Sequence, residues 1–222
     1  MLPQAVIFDM DGLMLDTEWI YGVAWERAAG ELGFVLEYDL LISCVGRTIA
    51  DGEASLLQAY GDRFPLEEFR VRWPQVWEEI VDESGIQCKP GLLELLDLLD
   101  SLAIPKAVAT SSAWDEALFS LSRGAIAHRF VHIVTADQVP HGKPAPDLFL
   151  LAAQRLGVNP SACLAFEDSE AGVIAATTAG MKTYMVPDCK QPSPQVAALA
   201  SAVFTSLTEA LPLFVDASGE TP

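Results

Sequence analysis

From Pro90 onward the chain alternates short apolar runs with helical ones, and this alternation constrains the fold more than any other feature. PGLLELLDLLDSL has helical spacing and is followed by the strand-like PKAVAT at 105–110. A helix over 113–124, the strand FVHIVT at 130–135 and a helix in APDLFLLAAQRLG, closed by Gly157, come next. The strand ACLAFED at 162–168 leads to a helix in SEAGVIAATTAG, closed by Gly180, and then to the strands KTYMVP and AVFT. Strand alternating with helix predicts a parallel sheet covered on both faces.

One more apolar strand, QAVIF, stands far from the others at 4–8. Between it and Pro90 no strand-like alternation occurs. TEWIYGVAWERAAGEL places Ile20, Ala24, Ala28 and Leu32 on one stripe, and Thr17 or Asp16 is expected to cap that helix. ADGEASLLQAY and PLEEFRVRWPQVWEEIVDE are also helical in pattern. Pro65 suits a first turn, whereas Pro74 is expected to kink or split the last helix. The first strand therefore belongs with the second half of the chain. The expected division is a core of residues 1–15 and 86–215, a helical cap of residues 16–85, and a polar tail, 216–222. Hinges are expected near 14–17 and 84–89.

Composition narrows the partners. The 222 residues carry a net charge of −18, which repels phosphate backbones and anionic lipid, so nucleic acid and membrane are poor partners. No run reaches transmembrane length, and the start of the sequence shows no basic-then-apolar pattern. Cys44, Cys88, Cys163 and Cys189 form no CxxC pair, so neither a zinc site nor a disulfide framework is expected. They are expected to be small buried hydrophobes in a cytoplasmic protein. The sequence leaves oligomeric state open; a monomer is compatible with it.

In an open parallel sheet, ligands bind beyond the carboxyl ends of the strands. The first strand ends in Asp9-Met10-Asp11-Gly12 and the second in Thr110-Ser111-Ser112. Lys143 lies in the loop after the third, and the fourth ends in Glu167-Asp168. Singly, these are ordinary turn, capping or surface residues. Together they put four carboxylates at one sheet edge, where they repel one another unless a cation neutralises them. Oxygen donors of this kind suit Mg2+.

In order, FDMDGLMLDTE, ATSS, GKPAPDLF and FEDSEAG make the chain resemble the haloacid dehalogenase-like phosphohydrolases over roughly residues 4 to 205. Within them it looks most like the beta-phosphoglucomutase-like branch, which includes sugar-phosphate and phosphoglycolate phosphatases. The resemblance implies an α/β fold, a Rossmann-like parallel-sheet core with an inserted helical-bundle cap. It implies a phosphatase acting on a small phosphorylated metabolite such as a sugar phosphate. Asp9 would be the nucleophile that forms an aspartyl-phosphate, and Asp11 the general acid and then base. Thr110, with the backbone of Ser111 and Ser112, would bind phosphoryl oxygens, and Lys143 would neutralise charge. Mg2+ would be held by Asp9, the Asp11 carbonyl and Asp168, with Glu167 ligating it or orienting its water.

The cap would close over the site and read the leaving group. It holds Trp19, Trp25, Trp73 and Trp77. Trp19 and Tyr21, just past the first hinge, are candidate substrate contacts alongside core packing. Arg47 in VGRT, which matches the family's cap loop, is a third candidate. Departures from the family's patterns choose among activities. Asp11 argues against dehalogenation, and the lack of any lysine between Asp16 and Cys88 argues against a phosphonatase. Tyr21 stands where the mutases carry a cap histidine, and Ile49 follows Thr48 where they carry an arginine. Hydrolysis is therefore favoured over the phosphomutase alternative. A catalytically silent phosphate-binding module is the remaining reading. His128, His132 and His141 are expected to be structural or surface residues.

Overall fold

The computed structural model describes residues 2–44 and 49–215. They form two compact units: the chain up to Leu15 together with the chain from Gln87 onward, and Asp16–Ile86.

The first unit is built on β1 (Ala5–Phe8), β2 (Lys106–Ala109), β3 (His132–Val134), β4 (Cys163–Glu167), β5 (Lys182–Met185) and β6 (Ala202–Val203). They make one six-stranded sheet in the order β3-β2-β1-β4-β5-β6, parallel at every pairing. β1 therefore lies mid-sheet, with Phe8 opposite Val108 on one side and Phe166 on the other. Its four residues are buried on both faces, which is why AVIF reads as a continuous apolar run rather than an alternating one. The strand order reverses direction at β1, and an open sheet has its crevice beyond such a switch point.

The helices of this unit are α5 (Leu92–Ser101), α6 (Trp114–Arg123), α7 (Asp147–Leu156), α8 (Glu170–Thr178) and the short α9 (Pro194–Ala197). α7 packs on β1, β2 and β3. It contributes Leu148, Phe149, Ala152 and Ala153 to a core shared with Ile7, Ala109, Val134, Ala165 and Ala176. Small residues from the sheet and α8 let the layers approach closely. α9 and the 3-10 stretch Leu207–Phe214 do not stand out in the sequence; both are short and lack a helical period long enough to register.

The second unit is helical: α1 (Glu18–Glu31), α2 (Tyr38–Cys44), α3 (Ile49–Tyr60) and α4 (Leu66–Ser84). α1 buries Ile20, Ala24 and Ala28 as expected, with Trp25 and Ala29 beside them; Leu32 lies past its end. Thr17 occupies the cap position, but its side chain makes no capping bond. Pro74 does not split α4, which continues through it. Phe69 before the proline and Val76, Trp77, Ile80 and Val81 after it are all buried, so packing on both sides outweighs the one backbone bond a proline removes. Trp25 packs edge-on against Phe69 at 5.2 Å, and its ring fills the space that a side chain at Gly52 would need. Outside this aromatic core, Arg72 bonds Glu31 and Glu79, and Arg70 bonds Glu53 and Glu67.

Of the four cysteines only Cys163 is buried; Cys44 and Cys88 are half-buried and Cys189 is exposed, and none of them is in a disulfide. The expectation of four buried cysteines is corrected accordingly: three of them lie in loops or at helix ends rather than in the sheet. No described helix is long and apolar enough to cross a membrane.

Candidate active site

β1 delivers Asp9 to the carboxyl edge of the sheet. The Asp9 N–H still donates to Phe166 O at 3.0 Å, so the residue is fixed by the ladder although its side chain has left it. The chain then turns at once. Met14 and Leu15 N–H both donate to Met10 O, and Gly12 N–H donates to Leu15 O. Gly12 has φ +77°, a conformation that favours glycine, and a Cβ there would stand 2.5 Å from Asp168 Oδ2. Glycine is thus needed twice over, for the turn and for the approach of β4's end.

Three charged groups meet beside this turn. Lys143 Nζ is bonded to Asp9 Oδ1 and lies 2.5 Å from Glu167 Oε1. All three side chains are nearly excluded from solvent, at 5, 8 and 0% exposure for Lys143, Asp9 and Glu167, so this is an interior charge cluster rather than a surface pair. Burial holds the Asp9 carboxyl well above the usual carboxylate range; Lys143 opposes this, and Glu167 and Asp11 add to it. For Lys143, burial works against the ammonium, but Asp9 and Glu167 outweigh it and raise its pKa, so the lysine stays charged. Its ammonium also lies 5.4 Å from the centre of the Phe149 ring.

Glu167 is held from both ends. Beyond Lys143, its Oε2 accepts from Asp168 N–H at 3.1 Å, Ser169 N–H at 3.2 Å and Ser169 Oγ at 3.1 Å. The Ser169 hydroxyl in turn accepts from Gly172 N–H and caps α8. A Cβ at Gly172 would lie 1.9 Å from the Glu167 carboxyl carbon, so α8 starts hard against that carboxylate. Ser169 and Gly172 sit inside the quoted FEDSEAG, yet reading the sequence assigned them no role. The signal was there as a Ser three residues before a Gly at a strand-to-helix junction.

On the other side of β1, Thr110 follows β2 and is buried. Its N–H donates to Val134 O, and its Oγ1 accepts from Ser112 N–H at 3.0 Å. Ser112 Oγ donates to Asp11 Oδ2 at 2.9 Å, a link across 101 residues that no local pattern signals. The structure thus brings together Asp9, Asp11, Thr110, Ser111, Ser112, Lys143, Glu167 and Asp168 at one sheet edge. Trp19 is 43% exposed on α1. Tyr21 is half-buried in the helical unit, with ring centroids 6.1 Å from Trp73 and 5.6 Å from Trp77. Arg47 lies outside the described residues. His128 and His141 are exposed, and His141 pairs with Asp147 at 3.2 Å.

Asp9, Glu167 and Asp168 each offer an oxygen, and these oxygens lie within 4.8 Å of one another. An all-oxygen, buried, net-negative donor set fits a hard divalent cation better than a thiophilic or imidazole-seeking one.

The family model for "haloacid dehalogenase-like hydrolase" matches residues 3–180, spanning every residue of this cluster. The chain belongs to the haloacid dehalogenase-like hydrolases. Among curated members it is 37% identical over 179 residues to a phosphorylated carbohydrates phosphatase of Thermotoga maritima, covering 81% of this chain and 82% of that one. It is 38% identical over 181 residues to a fructose-1-phosphate phosphatase of Escherichia coli, covering 79% and 92%. Among solved structures of this fold, a Thermotoga maritima protein described as a presumptive beta-phosphoglucomutase superposes with a TM-score of 0.80 at 34% identity, covering 94% of this chain and 97% of that one. As a haloacid dehalogenase-like hydrolase, the chain has its charged cluster at the sheet edge where the fold places ligands.

Proposed function

We propose that the protein is a Mg2+-dependent phosphatase that hydrolyses a small phosphorylated metabolite, with a sugar phosphate as the leading class. The observation that carries the reading is the convergence of Asp9, Lys143, Glu167 and Asp168 at the carboxyl ends of β1 and β4. The phosphatase relatives of sugar phosphates support the substrate class.

An Asp9 oxygen attacks phosphorus, and the phosphorus–oxygen bond to the leaving alkoxide breaks, giving an aspartyl-phosphate. Asp11, oriented by the Ser112 hydroxyl, gives its proton to the alkoxide and then takes one from the attacking water, releasing inorganic phosphate and restoring Asp9. Thr110 and the backbone at Ser111 and Ser112 hold phosphoryl oxygens. Lys143, fixed in its charged form, offsets the negative charge that builds on the transferring group. Asp9, the Asp11 carbonyl and Asp168 would hold Mg2+, which supplies further charge neutralisation at the phosphoryl oxygens. Glu167 would ligate the cation or orient a water on it, its Oε2 being held by the Asp168 and Ser169 N–H groups and the Ser169 hydroxyl.

The mutase alternative has less support. Tyr21, at the position matched to the mutase histidine, packs among aromatic rings, and no lysine occurs between Asp16 and Cys88. The test is a panel of sugar phosphates and polyol phosphates assayed for phosphate release with and without Mg2+. Wild type is expected to release phosphate only with the cation, and Asp9→Asn to release none. Equal release by both proteins refutes the proposal.

A further inference from the structure

β1, β4 and β5 are neighbours in the sheet, so the loops that follow them lie side by side at one edge. The first two loops carry Asp11-Gly12 and Asp168. The third, after β5, carries Asp188, which the motifs leave without a role. Asp168 Oδ2 and Asp188 Oδ2 stand 2.5 and 3.3 Å from the point that a Cβ on Gly12 would occupy, so the two carboxylates border the same small space beside that glycine. Two acids in that relation need a counter-charge, and Asp188 has one. Its Oδ1 accepts from Lys89 Nζ at 2.6 Å, with the two side chains only 22 and 13% exposed for lysine and aspartate. Lys89 is anchored at its other end as well, since its N–H donates to Met14 O at 2.8 Å beside the antiparallel bridge between Leu15 and Cys88. The lysine is thereby fixed to the segment that leaves the Asp11 turn. Asp188 Oδ2 takes the thiol of Cys189 at 3.6 Å, a weak donor that leaves it capacity for a stronger one.

We infer that Asp188 is a positioning residue at the cation end of the site: Lys89 fixes its Oδ1, and its Oδ2 holds a water of the bound divalent cation beside Asp168. The inference rests on reading the site as cation-dependent. It also makes the two halves of one ion pair act in opposite directions. Removing the Asp188 charge weakens cation binding, whereas removing Lys89 leaves the carboxylate and takes away a competing positive charge.

The probe is Mn2+ binding to the free enzyme, followed by the loss of its solution paramagnetic resonance signal, with melting curves to check folding. Asp188→Asn is expected to weaken Mn2+ binding about tenfold. Lys89→Met is expected to bind at least as tightly as wild type, and Asp188→Glu to recover most of the affinity. In turnover, Asp188→Asn is expected to need more Mg2+ but to keep kcat at saturation within about twofold. Wild-type affinity in Asp188→Asn overturns the inference. So does equal weakening in Asp188→Asn and Lys89→Met with lowered melting temperatures, the pattern of a plain structural strut. Because Mn2+ binding is read without substrate, the two readings can fail separately. Asp188-dependent binding with no phosphate release keeps the inference and refutes the phosphatase. Cation-dependent release with wild-type Mn2+ affinity in Asp188→Asn does the reverse.

Discussion

The two units handle acidic residues in opposite ways. In the helical unit, Glu31, Glu67 and Glu79 spread along helix surfaces, and arginines meet them partly in water. At the edge of the sheet, Asp9, Glu167 and Asp168 crowd one another out of water around a single buried lysine, with the half-buried Asp11 beside them. The first arrangement costs little and contributes little. The second is unfavourable for folding by itself, because desolvated like charges repel. A chain keeps such a cluster where a ligand needs it, so the contrast separates residues that hold the fold from residues that act.

Breaking the cluster at its centre has the largest expected effect. Asp9→Asn is expected to lower kcat at least about a thousandfold, since no other group at that point can accept the phosphoryl group. Lys143→Met follows, with kcat/KM down about a hundredfold as one preorganised charge is lost. Steady-state phosphate release checks both.

A matched pair of glycine substitutions sharpens the comparison. Gly172→Ala forces the Glu167 carboxylate off its position, and Gly52→Ala presses on the Trp25 ring, 2.6 Å from the new carbon. Each is expected to lower stability by about 1–3 kcal/mol, measured by denaturant unfolding. Only Gly172→Ala is expected to lower turnover as well.

Stability without cation gives an effect of the opposite sign. A carboxyl whose pKa is raised by folding destabilises the native state as pH rises past its unfolded value, and Asp9 is such a group. In EDTA at neutral pH, Asp9→Asn is therefore expected to melt a few degrees above wild type, with Mg2+ reversing the order. The smallest effect belongs to the helical unit: Arg72→Ala is expected to leave both the melting temperature and turnover almost unchanged, because solvent screens the ion pairs it loses.

The sequence carried the sheet because each strand is a short apolar run punctuated by Gly, Pro or acids, and it carried the acids because they fall where those runs stop. β1 could be assigned to the distant strands because the helical pattern of residues 17–83 offers it no partner. What stayed hidden was interaction across long separations. Nothing local marks Ser112 as the partner of Asp11, or Lys89 as the partner of Asp188. The continuity of α4 through Pro74 was hidden for a related reason: a local breaker is overruled by burial that only tertiary structure reveals.

The central claim is that Asp9 takes the phosphoryl group, and trapping tests it most directly. With an aryl phosphate, whose leaving group needs no proton, Asp11→Asn should still be phosphorylated but should turn over water slowly. Acid-quenched intact-mass analysis is expected to show one added phosphoryl group, which peptide mapping places on Asp9 and which Asp9→Asn/Asp11→Asn lacks. No added mass despite continuing phosphate release, or a phosphoryl group on any other residue, would contradict the account.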